Sequence, residues 1–179
     1  MKKKETPIAG LFELQFFNST DSRGLFVKPF HQSSLENLGL TAHFPESFYS
    51  INEENVIRGM HFQLPPHDHD KIVYCSKGKL LDVVLDLRSN SKTFGKSMSF
   101  LIKENSFKGI YIPAGMAHGF ASLEKGTIMT YLTSTEYHPD SDAGIRFDSF
   151  GFDWKIDNPI LSDRDMTFPS FQDFNSPFK

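Results

Sequence analysis

The stretch "KLLDVVLDLR", Lys79 to Arg88, decides the fold class. In an extended chain Leu81, Val83, Leu85 and Leu87 share one face, and Asp82, Val84, Asp86 and Arg88 share the other. A period of two along the whole stretch reads as a strand. Its second face is unusual, because a lone carboxylate is too costly to bury in a dry core. That face is either solvated or lines a polar pocket, and the alternation leaves both open.

The neighbouring segments repeat the theme. "SMSFLI" (Ser97 to Ile102) and "GIYIP" (Gly109 to Pro113) are short apolar runs bounded by turn residues. "TIMTYLTSTEY" (Thr127 to Tyr137) puts Met129, Tyr131, Thr133, Thr135 and Tyr137 on one face. Turn signals such as "SKGK", "RSNSKTFGK", "KENSFKG" and "PAG" recur roughly every 8–12 residues, the rhythm of an antiparallel sandwich or barrel. Helical periodicity is weak; "QSSLENLG" (Gln32 to Gly39) reads as one short helix ended by glycine. The expected fold is all-β, a jelly roll or similar barrel with a few short helices.

The chain has 179 residues, which fits a single domain spanning 1–179. A chain of this size hides roughly 70% of its unfolded surface without staples. Its 19 phenylalanines suit a β-rich core. The segment Phe168 to Lys179 is Phe- and Ser-rich and is expected to lie across the surface or a partner. A net charge of −3 with no basic stripe points away from nucleic acid. Met1-Lys2-Lys3-Lys4 leads into Glu5-Thr6-Pro7 with no apolar h-region, so no signal peptide is expected. No apolar run approaches the roughly 20 residues of a membrane span. The one cysteine, Cys75, excludes an internal disulfide. A cytoplasmic protein is the default expectation.

"RGMHFQLPPHDHDK", Arg58 to Lys71, concentrates His61, His67 and His69. His67-x-His69 with the distant His118 of "PAGMAH" faintly suggests a barrel metal site. Such a site wants a carboxylate a few residues after the His pair. Ile72, Val73, Tyr74 and Cys75 occupy that place, and Lys71 would set a cation beside the ion. His67 and His69 are therefore read as loop residues, and no metal is expected. His61 sits in the apolar "GMHFQ", and an imidazole is the side chain that titrates near neutrality. A general base also needs an orienting partner and an acid across the substrate. Asp82, Asp86, Asp163 and Asp165 are candidate orienters; Tyr131 and Tyr137 are candidate acids. A hydrogen-bonded core histidine is the competing reading.

Eight blocks, in order, resemble the dTDP-4-dehydrorhamnose 3,5-epimerase family. They are "DSRGLF" (21–26), "NVIRGMHFQLPP" (55–66), "KIV" (71–73), "DVVLDLR" (82–88), "TFGK" (93–96), "IPAGMAHGF" (112–120), "YHP" (137–139) and "ILSDRD" (160–165). The resemblance implies a cupin-type jelly roll, a homodimer with exchanged N-terminal strands, and no metal or other cofactor. It implies a nucleotide-diphosphate-linked 4-keto-6-deoxyhexose as substrate, epimerised at C3 and C5. By position, His61 matches the base, Asp165 its carboxylate partner, Tyr131 the acid and Lys71 the cation beside the ketone oxygen. His118 and Asp82 match a second buried pair, which gives the Asp82 face a pocket to line. Arg58 matches a diphosphate contact and Tyr137 a pocket wall. Arg23, with Phe26 in the same block, matches an arm reaching into the partner subunit's site.

One register conflict stands out. Arg58 and His61 are three apart, so a regular strand sends them to opposite faces. A bulge at Gly59 would reset the phase, or the arginine would curl around an edge. The nucleotide-reading positions also depart from the family pattern: Lys28 stands in place of a glutamate, and Glu46 and Phe48 in place of a glutamine and an asparagine. Those departures raise CDP or GDP as substitutes for dTDP. Three further functions compete with the double epimerisation: epimerisation at C3 alone, 3,4-ketoisomerisation, and sugar binding by a non-catalytic barrel.

Overall fold

The alternation at Lys79–Asp86 becomes a strand whose two faces meet two different apolar layers. The computed structural model describes residues 1–179. In chain order the strands are β1 (Lys2–Glu5), β2 (Phe12–Gln15), β3 (Phe17–Asp21), β4 (Gly24–Lys28), β5 (Glu46–Asn52), β6 (Ile57–Gln63) and β7 (Lys71–Lys77). They continue as β8 (Lys79–Asp86), β9 (Ser97–Lys103), β10 (Lys108–Ile112), β11 (Met116–Ser122), β12 (Thr127–Thr133) and β13 (Asp142–Gly144). The two α-helices are short: α1 (Gln32–Asn37) and α2 (Asp163–Thr167). α1 ends just before Gly39, whose φ of 69° suits glycine.

Two antiparallel sheets make the jelly roll. One has six strands in the order β1-β2-β10-β7-β12-β5; the other has five in the order β13-β6-β11-β8-β9. Between them Val73, Ile110, Ile112 and Met129 from the first sheet meet Leu80, Val84, Phe100 and Phe120 from the second. Each such side chain contributes about 1.5–3 kcal/mol when fully buried. The opposite face of β8, carrying Val83 and Leu85, packs with Leu87 in a second layer built from the C-terminal third of the chain. Trp154, Phe171, Phe174 and Phe178 cover the five-stranded sheet there, which accounts for much of the phenylalanine. The 168–179 tail is thus pinned along its own chain: the Ser89 N–H donates to the Phe178 carbonyl at 2.9 Å. A third cluster, with Leu14, Leu35, Ile72 and Tyr111, seats α1 on the outside of the six-stranded sheet.

β1 and β2 pair within their own sheet, whereas β3 and β4 form a separate hairpin. Phe17, Leu25 and Phe26 on that hairpin are exposed, as are Tyr49 and Ile51 on the sheet-edge strand β5. No helix is long and apolar enough to cross a membrane.

Candidate active site

β6 settles the register conflict. His61 pairs with His118 on β11, and Arg58 with Phe120, so three steps on β6 match two on β11. The extra residue is a bulge at Gly59. Gly59 has φ of 126°. A Cβ there would lie 2.6 Å from the Gly119 Cα and 2.8 Å from the His118 carbonyl oxygen. The bulge turns Arg58, His61 and Gln63 into one cavity of about 320 Å³ between the two sheets. Lys71, Tyr131, Thr133, Glu46, Phe48 and Ser50 face them from the six-stranded sheet.

His61 Nε2 lies 2.8 Å from Asp165 Oδ1. The other carboxylate oxygen accepts the Gly59 N–H at 3.0 Å. Asp165 stands on α2, where its own N–H donates to the N-cap oxygen of Ser162 at 3.1 Å. Burial alone pushes the Asp165 carboxyl up, yet His61, Gly59 and Ser162 together bring it below its ordinary value. An ionised carboxylate holds the imidazole proton on Nε2 and leaves Nδ1 as the proton acceptor. Deeper in, His118 Nε2 and Asp82 Oδ2 form a second pair at 2.7 Å, both buried. The face of β8 that could have been solvated is instead buried, and Asp82 backs the cavity through His118, which lines it. Asp86 takes no part: it is closed off by Arg88, Ser91 and Thr93 at 2.7–2.9 Å. Asp163 is exposed.

Burial, with the Asp82 charge, pushes the Tyr131 phenol well above its usual range against the opposing effects of Ser50 and Arg58. Its ring is fixed by Phe48, stacked at 4.5 Å, and by the edge of His118 at 6.1 Å. Lys71 is 9% exposed, and its ammonium donates to the His61 carbonyl at 3.3 Å. Burial lowers its pKa to about 8, while Asp142 and Asp82 pull it back up. Arg58 uses one donor on Asn52 Oδ1 at 2.8 Å, and its remaining donors are free for an anion.

The rim of the cavity is a polar clasp. Glu46 accepts the Tyr137 N–H at 2.7 Å. Asp142 takes the Tyr137 hydroxyl at 3.1 Å and the Arg164 guanidinium at 2.6 Å. His61, Asp165, Tyr131, Lys71, Arg58, His118, Asp82, Tyr137 and Glu46 thus converge. Arg23 and Phe26 do not: both are exposed on the β3–β4 hairpin, where Arg23 pairs only with Asp21.

His67 stacks on His138 at 3.7 Å and contacts Ser141 Oγ at 2.9 Å, away from the cavity wall. His69, read from sequence as a loop residue, lines the cavity. No three His, Cys, Asp or Glu side chains gather in a metal-holding group. Sequence reading also passed over Gln63, Thr133, Asp142 and Arg164. Gln63 and Thr133 were within reach, since each lies two residues from a named site residue on the same strand. Asp142 carries no local signal, whereas Arg164 lies inside the "ILSDRD" block.

Histidine–carboxylate pairs on one wall, facing a protonated phenol and an ammonium on the other, make a jelly-roll site suited to acid–base chemistry. A family profile described as dTDP-4-dehydrorhamnose 3,5-epimerase matches residues 5–173. The enzyme of that name from Shigella flexneri is 34% identical over 96% of this chain and 95% of its own length. The crystal structure of the Elizabethkingia anophelis enzyme superposes with a TM-score of 0.91 at 34% identity, covering 98% of each chain. That of the Legionella pneumophila enzyme, in complex with dTDP-4-keto-L-rhamnose, gives 0.92 at 28% identity, covering 97% of this chain and 94% of that one. The chain belongs to the dTDP-4-dehydrorhamnose 3,5-epimerase family.

Proposed function

We propose that this protein epimerises a dTDP-linked 4-keto-6-deoxyhexose at C3 and C5. The observation that carries the reading is the placement of the His61–Asp165 pair on β6 and α2 opposite Tyr131 and Lys71 on β12 and β7. His61 Nδ1 takes the proton from the carbon beside the ketone, and the bonding pair moves into a C=C–O⁻ enolate. Lys71 holds the enolate oxygen; a preorganised donor of this kind lowers the barrier by about 3–4 kcal/mol. Tyr131 gives its phenolic proton to the opposite face, and the carbonyl re-forms with the carbon inverted. Exchange with solvent then resets both groups. The raised phenol pKa suits an acid that must be protonated at neutral pH. His118 and Asp82 form the polar floor, and Arg58 meets the diphosphate. Glu46 and Tyr137 frame the entrance for the nucleotide.

The names of the relatives carry dTDP, which favours that nucleotide over the CDP or GDP suggested by Lys28, Glu46 and Phe48. Glu46 is also occupied by the Tyr137 N–H, so its charge has a partner in the chain. Arg23 and Phe26 act from a second copy: the hairpin that bears them leaves its own cavity and stays exposed, as a dimer arm would. The β3–β4 hairpin, separate from both sheets, is the segment best placed to reach a partner. The test is NMR in heavy water with the dTDP-, CDP- and GDP-linked 4-keto sugars. Deuterium at both C3 and C5 of the dTDP sugar is the expected result. Label at C3 alone would establish a single-site epimerase, and no label would leave a sugar-binding barrel.

A further inference from the structure

Four buried side-chain polar atoms in this chain have no hydrogen-bond partner: His69 Nε2, Asp82 Oδ1, Thr133 Oγ1 and His138 Nδ1. Buried polar groups are nearly always satisfied, so an orphan beside a cavity asks for a ligand. His69 and Thr133 both line the cavity. They flank Lys71: Thr133 is its cross-strand partner, and His69 precedes it on the incoming segment.

The two nitrogens of His69 have different jobs. Nδ1 lies 3.1 Å from Gln63 Nε2 and 3.1 Å from Thr135 Oγ1. Gln63 Oε1 accepts the His138 N–H at 2.6 Å, which fixes the amide's orientation and aims its NH₂ at His69. An amide nitrogen only donates, so Nδ1 accepts and the ring proton sits on Nε2. Burial, helped by the Lys71 charge, takes the His69 pKa down to about 3, so the ring is neutral at working pH. The result is an N–H with no acceptor, lining the same cavity as a threonine hydroxyl with no partner.

We infer that His69 Nε2–H and Thr133 Oγ1 hold the C3 hydroxyl of the 4-keto sugar, one carbon along from the oxygen held by Lys71. The inference rests on the epimerase reading above. A hydroxyl accepts from the imidazole N–H and donates to the threonine oxygen, so it satisfies both orphans at once. The methyl on the other side of the ketose would satisfy neither, and a site built for a hydroxyl rejects a group that lacks one. His69 and Thr133 are therefore specificity-determining residues that set which way round the ketone is bound.

The test compares the wild type with His69→Phe, His69→Gln and Thr133→Val on a dTDP-linked 4-keto-6-deoxyhexose. KM, kcat and deuterium entry at C3 and C5 are measured. His69→Phe and Thr133→Val each raise KM about tenfold and lower entry at C3 relative to C5. His69→Gln keeps an N–H at the Nε2 position and stays within about threefold of wild type. Thr133→Val conserves shape and carries the test if His69→Phe does not fold. Unchanged KM and C3:C5 ratio in the Phe and Val variants would overturn the inference, as would a Gln variant as impaired as the Phe one. A wild type that takes up no deuterium overturns the epimerase reading itself.

Discussion

His61 and Tyr131 differ from the other histidines and tyrosines of the chain in what faces them. In the proposed mechanism His61→Ala removes the base and Tyr131→Phe removes the acid, and each is expected to lower kcat by roughly 10²–10⁴ while the far-UV spectrum stays native. Wild-type turnover in both would eliminate the acid–base assignment. Lys71 supplies the pH dependence. It works as the ammonium, so its contribution is present below its pKa and fades as pH rises through about 8. The phenol of Tyr131 is displaced upward and loses its proton later, so the basic limb of kcat belongs to Lys71. Asp142 and Asp82 oppose the effect of burial on that ammonium. Asp142→Asn therefore moves the basic limb to lower pH, and a limb that stays put would separate Asp142 from Lys71. His61 and Lys71 had a sequence signal because each holds a fixed place in a block, and Tyr131 had one because it lies on an alternating stretch; Asp142 had none.

At the scale of the element, β6 and α2 matter most. A regular β6 would offer the cavity His61 or Arg58 but never both, and the Gly59 bulge delivers both. Gly59→Ala forces a Cβ against β11 at a φ of 126°. It is expected to cost about 1–3 kcal/mol and to lower Tm by several degrees. Because Arg58 and His61 lose their common facing, kcat/KM falls further than the lost stability explains, which paired thermal melts and kinetics will show. Full activity in this variant would mean that the two side chains share a cavity without the bulge. α2 is only five residues long, and its Arg164 is tied to Asp142 of β13 and stacked on Phe168. Asp165, the next residue, meets His61 at 2.8 Å. The conflict at Gly59 was visible in the sequence, but its outcome was not, because a bulge is a property of two paired strands.

At the scale of the whole molecule, the exposed β3–β4 hairpin is the arm of the proposed dimer, and the test belongs to that dimer. Arg23→Ala and His61→Ala are each expected to be nearly inactive as homodimers. Mixed after partial unfolding, they form heterodimers in which one site has both an intact His61 and the other copy's intact Arg23. Statistical mixing of a symmetric dimer then restores about a quarter of wild-type activity. No recovery would place Arg23 in its own subunit's site, and a fully active Arg23→Ala homodimer would place it outside any site. The sequence by itself determined the strand periods, the all-β class, the ordered blocks that carry His61, Lys71 and Asp165, and the alternating stretch that carries Tyr131, because alternation and residue chemistry are written locally. Only the tertiary structure decided that Asp82 is buried behind His118 while Asp86 is sealed, that His69 lines the cavity, and that Asp142 meets Arg164 at the rim. Those facts depend on how one sheet stacks on the other, and strands far apart in the chain set that jointly.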